Sequence, residues 1–489
     1  MGKKRKKNKS NAAIAEQEED AVGTSAKTVE SEVSDELSDV YEPVAAVNER
    51  DDIAPDPIEV RDEADYPAEY EEESTIPVMV EQKSAFLITK KQLHKIMAVA
   101  NLIVWKAAAY TAEGQFLFHA SENALTIRAT NNSISLKKHV EVFENSGEAQ
   151  FTVNAKKLFA LVNGLPDGLL RFSVDNLMLT IMSEDRAVKH TILCMAADQF
   201  PVEPERPTES DFMRVPCEIM KKIIDKTHKM ISRETFKPVL RGVYFKRTGE
   251  KLTAVSTDGK RLALIEKVIG GDKKSAFDCI IDGEFLKTAY PVILGNYSST
   301  MQIAVSGSKV FILVGGFELS GELVEGIYPN YKQVIPKDHD NETVLSRADL
   351  TDALKFVSPM ISDIPTKKVS FVFSENNVTI KAFNPECGES ERMLPCSYAG
   401  TGCDIDFNYT YLLDVLSCID GDNVCMKFTN DEVPASFHDT ERKDYFYVAM
   451  PLRKEKDEEV ETPADAPQVD EASVTDTIEA PETAETKVA

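Results

Sequence analysis

No run of about 18 apolar residues occurs in the 489-residue chain, which excludes a membrane-spanning helix. Cysteine is sparse and unpaired in pattern: all eight fall between Cys194 and Cys425, and none forms a C-x-x-C. With no apolar leader-like segment ahead of them, that usage predicts reduced thiols and a cytoplasmic location. The seven histidines (His94, His119, His139, His190, His228, His339 and His438) include no H-x-x-x-H pair, and neither G-x-x-x-x-G-K-[ST] nor G-x-S-x-G is present. Those absences argue against a metal centre, a nucleotide-phosphate loop and a serine nucleophile, so no catalytic residue and no cofactor is expected.

Positive charge is also scarce, with 56 Lys and Arg against 82 Asp and Glu and a net charge of −26. The deficit is unevenly spread. Residues 1–83 hold 10 basic and 23 acidic groups and residues 455–489 hold 2 and 12, which leaves 44 and 47 for residues 84–454. A reading of partners from whole-chain charge would therefore be mistaken. The N-terminal segment opens on Lys3-Lys4-Arg5-Lys6-Lys7 and turns acidic; both ends are poor in apolar residues and read as disordered extensions.

Between the ends, segments of helical and strand period alternate. In Pro216 to Arg233, Met220, Ile223, Ile224, Met230 and Ile231 mark a buried face, and Lys222, Lys226, Lys229 and Arg233 stack four cations opposite. Lys90 to Val104 and Arg347 to Ile361 repeat the pattern, with Leu93, Met220 and Leu350 separated by 127 and 130 residues. A second helix follows each, and Leu158, Leu286 and Leu412 are separated by 128 and 126. Two independent markers thus give a period near 128 and three copies of one domain. Strand-like segments such as Ala124 to Ala129, Leu177 to Ile181, Gly242 to Phe245, Val310 to Val314 and Val378 to Ala382 surround the helices, which makes the class α+β. The expected domains are 84–207, 208–336 and 337–454, between extensions 1–83 and 455–489.

A wall of cations built by three helix pairs would attract phosphate without reading bases. The stripe lacks aromatics for stacking on single strands, which favours duplex DNA. Thr257-Asp258-Gly259-Lys260-Arg261, between two apolar runs, is expected to be a hairpin turn that can also present a binding surface.

Several ordered segments resemble the bacterial sliding clamp, the beta subunit of DNA polymerase III. They are Val153-Asn154-Ala155-Lys156-Lys157-Leu158, Gly164-Leu165-Pro166-Asp167-Gly168, Phe200-Pro201 and Val239-Leu240-Arg241-Gly242-Val243, then Ser256 to Ala263, Gly326 to Tyr331, Tyr411 to Leu416 and Tyr447 to Arg453. The resemblance spans residues 84–454. It implies processivity-fold domains of antiparallel sheet with two helices each, and two chains closing head to tail into a ring around double-stranded DNA. The implied function is non-catalytic: a processivity factor that tethers the replicative polymerase and takes the clamp loader and other clamp-binding-motif proteins as partners. By motif position it places a partner-peptide pocket at Leu240, Thr257, Gly259, Lys260, Arg261, Leu262, Pro329, Val334, Val448, Met450, Pro451, Leu452 and Arg453. It places the dimer interface at His190, Ile192, Met360 and Ile361.

The chain also departs from the family. Lys106-Ala107-Ala108-Ala109-Tyr110-Thr111 stands where an Arg precedes Thr-Leu-Pro, and Gly283-Glu284 replaces a basic pair. DNA contact is therefore expected from Lys221, Lys222, Lys226, Lys229, Arg233 and Lys237. The same losses leave a second reading, a diverged paralogue that scaffolds proteins without loading on DNA.

Overall fold

A computed structural model describes residues 83–453 except 109, 110, 123, 271–276, 401 and 443. The two charged extensions and part of the Lys106 to Thr111 segment lie outside the described residues. Each third of the described chain holds eight strands and two helices in the same order. The first has β1 (Lys83–Thr89), α1 (Lys90–Val104), β2 (Gln115–Ser121), β3 (Ala124–Thr130), β4 (Ile134–Glu141), β5 (Ala149–Asn154), α2 (Ala155–Gly164), β6 (Leu169–Asp175), β7 (Met178–Ser183) and β8 (Lys189–Leu193). The second has β9 (Met213–Pro216), α3 (Cys217–Thr227), β10 (Gly242–Thr248), β11 (Lys251–Thr257), β12 (Arg261–Val268), β13 (Phe277–Asp282), α4 (Gly283–Leu294), β14 (Thr300–Ser306), β15 (Lys309–Val314) and β16 (Phe317–Glu322). The third has β17 (Asn341–Ser346), α5 (Arg347–Val357), β18 (Lys368–Ser374), β19 (Asn377–Asn384), β20 (Gly388–Pro395), β21 (Cys403–Asn408), α6 (Tyr409–Cys418), β22 (Asn423–Phe428), β23 (Ala435–Asp439) and β24 (Tyr445–Ala449).

Every helix starts where a strand ends, and the residue at the switch usually caps it. Thr89, Asn154, Asp282, Ser346 and Asn408 each accept a backbone N–H of the first turn through the side-chain oxygen. The long helix expected from Pro216 to Arg233 is shorter. α3 stops at Thr227, a 3-10 turn covers His228–Met230, and residues 231–237 are loop. The Ser256 hydroxyl donates to the Thr227 carbonyl at 2.7 Å, removing an acceptor that a continuing helix would need. Arg347 to Ile361 divides in the same way, because Pro359 has no N–H to donate and Ser358–Ile361 tightens into a 3-10 turn.

The sheets run through the repeats rather than staying inside them. Two eight-stranded sheets cross the joints, one in the order β5-β2-β3-β4-β16-β15-β14-β9 and one in the order β13-β10-β11-β12-β24-β23-β22-β17. The joints are antiparallel pairs, β4 with β16 (Leu136 opposite Leu319) and β12 with β24 (Leu262 opposite Val448). Four-stranded sheets, β1-β6-β7-β8 and β20-β19-β18-β21, close the two ends. Helices pack in pairs, α1 with α2, α3 with α4 and α5 with α6, and α1 also meets α4 across the first joint. Their buried residues, among them Leu93, Met220, Leu350, Leu158, Leu286 and Leu412, share one continuous apolar core with the sheets. No helix among the described residues is long and apolar enough to cross a membrane.

Candidate functional site

A second apolar cluster, separate from the main core, forms at the joint of repeats 2 and 3. Leu240, Val255, Leu262, Ile280, Tyr328 and Val448 are its buried members. Tyr328 stacks on Tyr244 with ring centroids 5.0 Å apart, and Tyr331 leans on Tyr244 at 6.2 Å. Around this floor, Pro329, Val334, Met450, Gly259, Lys260 and Arg453 are exposed, and Thr257, Pro451 and Leu452 are half-buried. The chain is pinned here by backbone bonds from Met450 N to Lys260 O at 2.9 Å and from Leu452 N to Asp406 O at 2.7 Å. The expected hairpin turn is present: Gly259 takes φ +90°, and Asp258 Oδ1 accepts the N–H of Lys260 and of Arg261.

The sequence reading missed half of this floor. Val255 and Leu264 face each other across β11 and β12, and the positions 127 residues earlier, Arg128 and Lys137, face each other across β3 and β4. In the first joint Arg128 lies over the Phe200 ring at 5.3 Å and Lys137 pairs with Glu203 at 2.8 Å. The matching strand pair at the free end of repeat 3 carries Lys381 opposite Glu391, bonded at 2.8 Å. One strand-pair position thus reads apolar at the second joint and charged at the first joint and in the end sheet, so of the two joints among the described residues the second offers the greasy slot.

Arg261 does not line that slot as expected. Its guanidinium is turned inward, donating from Nε to Asp258 at 2.9 Å, from Nη1 to Asp414 at 2.5 Å and from Nη2 to the Lys229 carbonyl at 2.8 Å, with its flat face 4.5 Å from the Tyr411 ring centroid. Its side chain is only 10% exposed, and it fastens the β11–β12 turn to α6.

The cation stripe of α3 is likewise divided. Lys226 is buried and reaches repeat 3, where it donates to the Cys418 carbonyl and to Asp420 Oδ1. It is therefore a clasp between repeats rather than part of an exposed stripe. Lys229 donates to Ser417 Oγ at 2.8 Å, also across the joint. Lys221 pairs with Asp225 and Lys222 with Glu218, each one turn away. Arg233 and Lys237 are exposed in the following loop, Lys237 lying 3.7 Å from Glu234. Burial alone would raise the Asp420 pKa; the hydrogen bond and charge of Lys226, with Arg442 beside it, outweigh that and hold it below its ordinary value of 3.8. A carboxylate depressed in the folded state contributes stability above its unfolded pKa and loses it as pH falls through the folded one. Asp420→Asn is thus expected to lower the urea midpoint at pH 7 and to lower it less at pH 3, below the ordinary carboxylate value of 3.8. An equal deficit at both pH values would contradict the clasp.

Unopposed charge sits elsewhere on the helices. α1 and α2 carry five lysines and no acidic residue, whereas α3 to α6 carry six basic and six acidic residues. Lys91, Lys95, Lys156 and Lys157 are exposed. Among the described residues none of the four makes an ion pair, although Lys156 donates to the Ala107 carbonyl at 3.1 Å. Gly283, where a basic residue was expected, has a packing reason: a Cβ there would lie 2.3 Å from Ile231 Cδ1 and 2.9 Å from the Arg241 carbonyl.

The end sheets supply the third surface. On β8, His190 and Ile192 are half-buried and lean on the end sheet, while Lys189, Thr191 and Leu193 point out, Leu193 being 76% exposed. At the other end Met360 is half-buried and Ile361 is wholly inside the core of repeat 3, so Ile361 presents nothing at the surface. The exposed apolar groups on that sheet are Met393 on β20 and Phe383 on β19. Strand alternation could have flagged Leu193 and Met393, since both lie on the outward parity of their strands. No group of three metal-ligating side chains occurs among the described residues.

Three repeats whose sheets continue through their joints, with paired helices on one side and an apolar slot at one joint, define a clamp-type processivity fold. Residues 84–204, 214–330 and 332–453 match the N-terminal, central and C-terminal domain models of the DNA polymerase III beta subunit, and the chain belongs to that family. It is 26% identical over 341 residues to the beta sliding clamp of Escherichia coli K12, covering 70% of this chain and 92% of that protein. It is 25% identical over 373 residues to the beta sliding clamp of Treponema pallidum, covering 76% and 99%. Among solved structures it resembles the DNA polymerase III beta subunit of Thermotoga maritima (TM-score 0.71, 25% identity, 76% of this chain and 100% of that one). It also resembles the Pseudomonas aeruginosa clamp bound to griselimycin (TM-score 0.72, 24% identity, the same coverage).

Proposed function

We infer that the chain is a sliding clamp: two copies close head to tail around double-stranded DNA and hold the replicative polymerase, the clamp loader and other clamp-binding-motif proteins on it. The observation that carries this reading is a missing pair of strand joints. Inside the chain β4 pairs with β16 and β12 with β24. By the repeat, the next members of the two series are β20 and β8, which are left at the outer edges of the end sheets. An open sheet edge is a template for another chain. Pairing β20 of one copy with β8 of the next, twice, closes a ring of six repeats by a heterologous contact that returns on itself.

Domains 84–207, 208–336 and 337–454 are the repeating units of this ring. Lys91 and Lys95 of α1 and Lys156 and Lys157 of α2, with Lys221, Lys222, Lys229, Arg233 and Lys237, supply loose, sequence-independent phosphate contact. The slot over Leu240, Leu262, Val255, Tyr328 and Val448, rimmed by Pro329, Val334, Met450 and Pro451, takes apolar side chains of a partner peptide. Tethering raises the effective concentration of polymerase at the primer end, so the clamp works without chemistry of its own, in the cytoplasm. Loaded by a clamp loader onto nicked circular DNA, the protein is expected to stay bound through a high-salt wash and to be released when the circle is cut. Equal retention on circular and linear DNA would overturn this reading in favour of a scaffold.

A further inference from the structure

Two aromatic side chains stand out in solvent in the connections that follow the first helix of the first two repeats. Trp105, at the C-terminal cap of α1, is 53% exposed, and Phe236, in the loop after α3, is 72% exposed. Each is partnered by the lysine that follows it: Lys106 Nζ lies 5.1 Å from the Trp105 ring centroid, and Lys237 Nζ lies 5.3 Å from that of Phe236. Both loops lie against the start of the second helix of their repeat. Lys156 of α2 donates to the Ala107 carbonyl, and Gly283 of α4 packs under Ile231 and the Arg241 carbonyl. Each aromatic and lysine pair therefore lies in a connection that runs beside the second helix of its own repeat. The equivalent loop of the third repeat, residues 358–367, has no aromatic residue and includes Asp363.

We propose that Trp105–Lys106 and Phe236–Lys237 are stacking platforms for unpaired DNA bases, gripping single-stranded template next to the encircled duplex. An exposed aromatic ring offers a π-face that any base can cover, and an adjacent ammonium meets the phosphate one bond group away, so recognition is independent of sequence. Bases inside a duplex are already stacked and cannot use such a ring, which selects single strands. Arg233, exposed three residues before Phe236, adds charge of the sign that a nucleic-acid backbone requires. The inference rests on the clamp reading for the presence of DNA, but its chemistry is separate from ring closure.

Trp105 is the only tryptophan in the chain, so fluorescence of the full-length protein excited selectively at tryptophan, beyond the absorption of the tyrosines, reports this loop alone. Titration at low salt with single-stranded oligothymidylate of about ten nucleotides, a length within the range such surfaces occupy, is expected to quench its emission. Blunt duplex at equal phosphate concentration is expected to leave it nearly unchanged. Phe236→Ala, at a solvent-exposed position, should weaken oligothymidylate binding roughly tenfold while Trp105 still reports. Constant emission throughout the titration, or equal quenching by blunt duplex, overturns the proposal. A blue shift on anionic vesicles (phosphatidylserine and phosphatidylcholine) with no response to the oligonucleotide overturns it as well, and assigns the rings to a lipid surface. Failure here with topological retention on circular DNA leaves the clamp reading standing; quenching without such retention removes the clamp reading and keeps the platforms.

Discussion

Leu193→Asp and Met393→Asp are each expected to turn the ring into monomers. Leu193 is 76% exposed and Met393 64% exposed in the single chain, so an aspartate at either position disturbs no core and changes folding stability by roughly 0.5 kcal/mol at most. Ring closure through β8 and β20 would bring those side chains into the new joint. The equivalent joints within the chain show what it demands: Leu136 opposes Leu319 and Leu262 opposes Val448, all buried. A carboxylate brought into such a contact loses hydration without gaining a partner, which raises the dissociation constant on the order of a hundredfold or more. Sedimentation at micromolar concentration checks this, with Val202→Asp as the control because Val202 is 92% exposed and lies off both edges. Variants that remain dimeric, or a control that dissociates equally, would exclude these edges as the closing surfaces.

Arg261→Ala is expected to be the most damaging single truncation at the joint of repeats 2 and 3. Removing the guanidinium leaves Asp258, 17% exposed, and Asp414, 34% exposed, facing each other's neighbourhood without the cation that neutralises both. The Lys229 carbonyl loses its donor and the Tyr411 ring its stacked partner. Breaking a partly buried ion network from one side costs roughly 3 kcal/mol, more than any one exposed pair supplies. Arg261→Lys should recover little of it, since one ammonium cannot fork to two carboxylates and a carbonyl. Urea denaturation of Arg261→Ala, Asp414→Ala and the double variant measures the coupling. Strict additivity of the two single effects would show that the network does not hold the repeats together.

The slot should suffer with the fastener. The turn that Arg261 anchors also carries Gly259 and Lys260, and Lys260 holds Met450 through its carbonyl. A pocket wall can therefore be lost through a residue that touches no ligand.

The repeat was open to sequence reasoning because it is local and periodic. Leu93, Met220 and Leu350 sit on helix faces whose spacing follows from 3.6 residues per turn, and each helix begins at a capping residue or proline that can be read directly. The Asp258-Gly259 turn is legible for the same reason, since the positive φ at Gly259 is a property of that residue. Charge is not local in this sense. Lys226, Lys229 and Arg261 resemble solvent-facing cations in sequence, and their partners Asp420, Ser417 and Asp414 lie more than 150 residues away.

By itself the sequence determined three domains of α+β type, a near-neutral middle between acidic ends and the family to which the chain belongs, because periodicity and short motifs are written in neighbouring residues. Only the tertiary structure decided which cations are spent. Folding brought α3 against the start of β22 and the end of α6, consumed Lys226 in a clasp, turned Arg261 inward, and left net positive charge on α1 and α2. It also decided which strand edges stay unpaired and which joint is greasy, since both depend on pairings between distant strands that no local pattern can specify.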